Sequence, residues 1–166
     1  MDAIAINPFI ESIYEIFENM LGCQAQLGKP SRADLSPHSP DYIGVIGLTG
    51  TAQGIVALRL PEKTAIAVIS RMAGFDFTKV DNSVIDGIGE LVNMTAGSAK
   101  GKFHGHSISV SLPTVAQGGL CKLSNVKDSV WMEIPFESDL GAFSLIVNLK
   151  NSVEARQEVA NESARG

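Results

Sequence analysis

VIDGIGELVNMTAGSAKGKF, residues 84–103, is the stretch around which the chain is organised. Wound as a helix at about 100° per residue, it separates into two unlike faces. Val84, Ile85, Ile88, Leu91, Val92, Thr95, Ala96, Ala99 and Phe103 form an almost wholly apolar stripe. Asp86, Glu90, Asn93, Gly97, Lys100 and Gly101 gather opposite it. The i, i+3 spacing sets Glu90 and Asn93 side by side, roughly 60° apart around the axis. Gly87, Gly89, Gly97 and Gly101 each cost about 0.8–1 kcal/mol relative to alanine inside a helix. Four such residues in one helix predict the close approach of another surface. An acid and an amide on a face without bulky neighbours then resemble a presented site.

Composition bounds what that site can serve. The chain has 166 residues, enough for one domain with a sizeable core, and 45% of them are apolar. A net charge of −5 argues against a nucleic-acid partner, which selects for basic patches. Apolar runs are broken by glycine, proline or charge well before the roughly 18 residues of a membrane span. The start, MDAIAINPFIESIYEIF, has acids and no basic leader region, so the expectation is a cytoplasmic protein. Cys23 and Cys121 form no C-x-x-C pair and read as reduced, buried small hydrophobes.

On the N-terminal side, Asn7-Pro8 reads as an N-cap with proline at the first helical position. Phe9, Ile10, Ile13, Ile16, Phe17, Met20 and Leu21 follow at helical spacing, and Gly22 reads as the stop. Glu11, Glu15 and Glu18 fall off the apolar stripe and read as a solvated face. Residues 24–41 carry three prolines and read chiefly as loop, with room for one short strand at 23–27. YIGVIGL and GIVALRL then alternate around Thr49-Gly50-Thr51 as a hairpin. PEKTAIAVISRMAG is a second helix, stopped by Gly74. Asn82 or Ser83 is the expected cap of the central helix, with Asp86 near its positive end.

Beyond Phe103 the period changes to two. HSISVSL places Ile108, Val110 and Leu112 on one face, and VAQGGLCKL, SVWMEIPF and GAFSLIVNL follow as strands, with Trp131 in the core. The expected division is one domain over 1–150 and a short helix with a polar tail over 151–166. The order helix, hairpin, helix, helix, strands also reads as a worn internal duplication.

Few constellations carry chemistry. His104-x-His106 on one strand would project two imidazoles to one side, but no third ligand stands near in sequence, so no metal site is expected. No phosphate-cradling glycine loop and no nucleophile elbow occurs. Glu90 and Asn93 remain. From spacing alone the plainer reading, a solvating acid and an amide bonded to its own helix, stands ahead of a site.

ELVNMTAGSAK, residues 90–100, resembles the signature helix of the CheX family, of the CheC/CheX/FliY class of phosphatases that act on the response regulator CheY. PFIESIYEIFENMLG (8–22), GVIGLTGTAQGIVALRLP (44–61) and SLPTVAQG (111–118) are similar to further blocks of that family, in the same order. The resemblance implies an α+β fold, with helices packed on an antiparallel sheet and a pseudo-twofold internal repeat, the CheC-like fold. Aligning Asn19-Met20 with Asn93-Met94 puts Ile16 where the first half would need its glutamate, so one complete site is implied.

The implied activity is hydrolysis of the aspartyl phosphate on a CheY-like receiver domain. Asn93 would orient the attacking water, a positioning role like that of the glutamine in GTPases. Glu90 would pair with the receiver's active-site lysine. Asp86, Gly97 and Lys100 would complete the contact surface, Gly97 by letting the backbones approach. The chain itself would bind no cofactor, Mg²⁺ being held by the phosphorylated receiver. A homodimer built through sheet edges is implied too. The second reading of the same face is a receiver-binding adaptor without turnover.

Overall fold

The computed structural model describes residues 3–36, 41–105, 107–118, 130–151 and 164–165. Helix α1 (Ala3–Glu15) runs into a π turn (Ile16–Met20), followed by the short strands β1 (Ala25–Leu27) and β2 (Ser31–Arg32). The hairpin β3 (Asp41–Gly50) and β4 (Ala52–Pro61) leads to α2 (Glu62–Ala73) and α3 (Asn82–Lys102). Strands β5 (Ile108–Val110), β6 (Thr114–Gln117), β7 (Met132–Ser138) and β8 (Phe143–Asn151) complete the series. The eight strands form one sheet in the order β1-β7-β8-β4-β3-β5, with β2 also on β7 and β6 also on β3. Every pairing is antiparallel. Helices on an antiparallel sheet are the architecture expected.

The duplication is visible in this order. A helix, two short strands and a hairpin (α1, β1, β2, β3, β4) are followed, after α2, by the same series (α3, β5, β6, β7, β8). Each half lends its short strands to the other half's hairpin, β1 and β2 to β7, and β5 and β6 to β3. The halves meet along β4 and β8, where Val56 faces Val147.

Alternation along the strands sorts the core. Tyr42, Ile46 and Leu48 of β3 and Val56, Leu58 and Leu60 of β4 point toward the helices, into one large cluster with Phe9, Phe17, Val68, Ile88 and Val92. Ile43, Ala57 and Ile146 point the other way and are covered by Trp131, with Ala33 and Leu35 beside them. Trp131 is thus core, but of the smaller cluster on the helix-free face. Gly44 sits under α3. A Cβ there would stand 3.2 Å from both Ile88 Cγ2 and Val92 Cγ1, so the missing side chain lets the helix lie close on β3.

Several expectations shift. Helix α1 begins at Ala3, so Pro8 lies inside it rather than at its first position. Proline this near a helix start forfeits one backbone hydrogen bond, and its carbonyl accepts from Ser12 Oγ at 2.6 Å. The last turn of the first helix is π rather than α, with Leu21 N donating to Ile16 O at 3.1 Å. Gly22 follows at φ +63°, the left-handed conformation that a glycine stop supplies. Glu15 is not simply solvated, because Lys102 Nζ reaches its Oε1 at 2.7 Å across the α1–α3 contact. Cys23 is half-buried rather than buried. The predicted strand 106–112 shrinks to β5, and His104 lies in the turn after α3, not on a strand. His106, Cys121 and the second part of VAQGGLCKL lie outside the described residues, as does the expected tail helix apart from 164–165, which are helical.

Candidate functional site

Helix α3 starts on a cap. Asp81, in extended conformation, accepts Val84 N at 3.0 Å through Oδ1. This is one residue before Asn82 and two before Ser83, the caps read from sequence. Asp81, Asn82 and Ser83 all suit the position chemically, and the backbone register selects the first. From there Val84, Ile88, Leu91, Val92, Thr95, Ala96 and Ala99 are buried. Ile85 and Phe103 pack partly buried on the same cluster. Thr95 keeps its hydroxyl satisfied on Leu91 O at 2.8 Å, so the stripe carries no stray polar group there.

The opposite face is presented. Asp86, Glu90, Gly97 and Lys100 are exposed, and Asn93 is half-buried. Among the described residues, no hydrogen bond or ion pair engages the side chains of Asp86, Glu90, Asn93 or Lys100. The plainer reading, in which Asn93 bonds to its own helix, therefore finds no such bond. Ile16, the residue aligned with Glu90 in the first half, is buried in the core, while Asn19 is exposed on the π turn. The first helix thus presents no acid-and-amide pair at the matching place.

The glycines do not share one explanation. At Gly87 a Cβ would stand 2.5 Å from Ile69 Cγ2, so this residue admits α2 against one flank of the face. Gly89 faces Val115 and Pro113 on the other flank, where an added Cβ would lie 3.5 and 3.7 Å from their side chains. Gly97 has nothing within 4 Å of such a Cβ, and neither has Gly101. Close packing inside the molecule therefore requires only Gly87 of the four; a Cβ at Gly89 would make ordinary contact, and Gly97 and Gly101 leave the helix surface bare. The sequence did not point to the flanks themselves, α2 on one side and the 111–115 segment on the other. Both are contacts between elements distant in the chain.

The chemistry of this face follows from what it holds. A carboxylate accepts hydrogen bonds and pairs with cations, while a carboxamide both donates and accepts. Neither is a strong nucleophile, and a convex helix face is not a small-molecule pocket. Two open clefts lie elsewhere. One of about 580 Å³ is lined by Asn7, Pro8, Glu11, Gly101, Lys102 and His104, and one of about 460 Å³ by residues that include Cys23, Glu137 and Asp139. Neither includes Glu90 or Asn93. Among the described residues no group of three or more His, Cys, Asp or Glu side chains is placed to hold a metal ion. No helix among them is long and apolar enough to cross a membrane.

Comparison with known proteins bears on the same segment. The family model described as Chemotaxis phosphatase CheX matches residues 42–137, which include all of α3. The CheY-P phosphatase CheX of Thermotoga maritima is 35% identical over 130 residues, covering 75% of this chain and 83% of that protein. Among solved structures, a CheC-like superfamily protein from Shewanella sp. PV-4 superposes with a TM-score of 0.78 at 25% identity, over 91% of this chain and all of that one. The CheX–CheY–BeF3–Mg²⁺ complex from Borrelia burgdorferi contains a chain matching with a TM-score of 0.72 at 20% identity, over 89% of this chain and 98% of that one. At that identity the likeness is one of fold.

Proposed function

This chain belongs to the CheX family of chemotaxis phosphatases, and from that premise we propose that it hydrolyses the aspartyl phosphate of a CheY-like response regulator in the cytoplasm. The observation that carries the reading is the unengaged pair on α3, exposed Glu90 and half-buried Asn93, one turn apart on a face flanked but not covered. A relative at 35% identity is named for this activity. A chain of like fold is found in a complex with CheY, BeF3 and Mg²⁺.

In the reaction a water oxygen attacks phosphorus, the bond from phosphorus to the aspartyl oxygen breaks, and the receiver's carboxylate and inorganic phosphate leave. The receiver brings the metal and the electrophile. This chain supplies geometry. The Asn93 carboxamide, held on a helix whose other face is locked in the core, orients the water in line with the breaking bond. Glu90 pairs with the receiver's active-site lysine and fixes the register of the helix across the phosphoryl group. Gly97 leaves room for the approaching surface. Asp86 and Lys100 lie on the same face as further contacts. We propose a homodimer as the working form, joined at a sheet edge.

Phosphate release from a phosphorylated receiver, followed against receiver concentration, tests the assignment. Asn93→Ala is expected to lower kcat about a hundredfold with little change in KM, and Glu90→Ala to raise KM. Equal rates for Asn93→Ala and the parent would remove Asn93 from the mechanism. Tight binding of the receiver with an unchanged phosphate lifetime would make the chain an adaptor. Sedimentation at low micromolar concentration tests the dimer.

A further inference from the structure

We propose that Leu112 is a docking residue for the receiver domain, an apolar anchor at the border of the α3 face. The proposal rests on the phosphatase reading above and adds to it the residue that sets affinity. Leu112 is 89% exposed, more than Phe75, Val130, Met20 or Leu27, the other large apolar side chains open to solvent among the described residues. A lone exposed leucine is ordinary on a protein surface. Two further observations set this one apart.

The first is that its backbone is held in place. Ser111 N donates to Gly47 O at 2.9 Å, and Gly47 N donates to Ser111 Oγ at 2.8 Å. The same hydroxyl donates to Leu112 O at 3.0 Å. Pro113 follows, and the residue before a proline is itself restricted toward extended conformations. The backbone that carries the side chain is thus held before any partner arrives, which lowers the backbone part of the ordering cost of binding.

The second is place. Pro113 and Val115 pack beside Gly89. Gly89 directly precedes Glu90 and lies one helical turn before Asn93, on the same side of the helix. Leu112 therefore stands where β5 gives way to β6, at the edge of the surface that carries the pair. Two polar side chains on a convex helix provide orientation but little dry contact. Specific interfaces draw most of their affinity from a few side chains that become fully desolvated in the partner's recesses, with polar contacts alongside. The receiver is thus expected to offer an apolar recess beside its phosphorylated aspartate.

The test is phosphate release with the full chain and a phosphorylated receiver, using Leu112→Ser, Leu112→Met and, as a control at the opposite sheet edge, Leu27→Ser. Leu112→Ser is expected to raise KM about tenfold while kcat stays within twofold and the melting temperature is unchanged. Leu112→Met is expected to restore most of the affinity, and Leu27→Ser to leave KM alone. A parental KM in Leu112→Ser, with Asn93→Ala still inactive, overturns the role of Leu112 and leaves the phosphatase reading standing. A drop in kcat at constant KM overturns it as well. If the parent releases no phosphate from any receiver of its own genome, the phosphatase reading fails and this inference falls with it.

Discussion

Gly87 of α3 and Ile69 of α2 meet so closely that a Cβ on the glycine would stand 2.5 Å from Ile69 Cγ2 and 3.1 Å from its Cδ1. Ile69 is only 2% exposed, so its branched side chain has nowhere to retreat without disturbing the cluster around it. Alanine at 87 would gain about 1 kcal/mol of helix propensity, yet overpacking a full core costs about 1–3 kcal/mol. Gly87→Ala is expected to lower the unfolding free energy by roughly 1 kcal/mol, outweighing the propensity gain. Urea unfolding checks it, and a more stable Gly87→Ala would show that the α2–α3 contact is looser than described.

Gly97 answers the same substitution with the opposite sign. No neighbour lies within 4 Å of its added Cβ, so only the propensity term acts. Gly97→Ala should raise stability by about 0.8–1 kcal/mol. If the face is where the receiver sits, that methyl group intrudes between two backbones and KM rises, although the fold is firmer. Gain of stability with loss of affinity is the expected pair of results. Gain of both would place the receiver somewhere other than over Gly97.

These two glycines mark how far the sequence could be read. The apolar stripe of α3 was legible because i, i+3 and i+4 recurrence reports burial directly, from Val84 through Ala99. Gly22 and Gly74 were legible as stops, since each needs φ near +60°. The fold class and the duplicated order were legible as well. Which glycine serves internal packing was not, because Ile69 and Gly87 touch through tertiary structure and not through sequence spacing. The same holds for the crossing of short strands between halves, and for Leu112, whose alternation with Ile108 and Val110 predicted a shared face. The strand ends at Val110, and the segment before β6 turns Leu112 outward. The exposed face of α3 was readable; the roles of Glu90 and Asn93 on it remain for kinetics.

Cys23 offers a pH-dependent measurement. Burial raises its thiol pKa above the ordinary value, the Asp139 carboxylate adds to the rise, and the Arg71 guanidinium opposes it. The folded state therefore holds this proton more tightly than the unfolded state does. Its contribution to stability is complete below the ordinary thiol pKa of about 8.5 and is lost as pH climbs through the raised folded value. At pH 8 alkylation of Cys23, mapped by mass spectrometry to separate it from Cys121, should be slower than that of an unstructured cysteine peptide. Asp139→Asn should speed it. A folded-state rate equal to the peptide's would contradict the described environment.

Glu90 provides the corresponding electrostatic test of docking. An exposed carboxylate that pairs with a lysine only in the complex contributes through a charge contact at the rim of solvent, and salt screens such contacts over about 8–10 Å at moderate ionic strength. KM for the phosphorylated receiver should therefore rise with salt in the parent. It should rise less steeply in Glu90→Gln, which keeps the shape and removes the charge. On the proposed role, Asn93 hydrogen-bonds a water and carries no charge, so Asn93→Ala should keep the parental salt slope while losing turnover. The two substitutions thus separate along different axes, one in the salt dependence of KM and the other in kcat. Identical salt slopes for Glu90→Gln and the parent would mean that Glu90 meets no lysine, and would leave the docking register to Leu112 and the bare surface at Gly97.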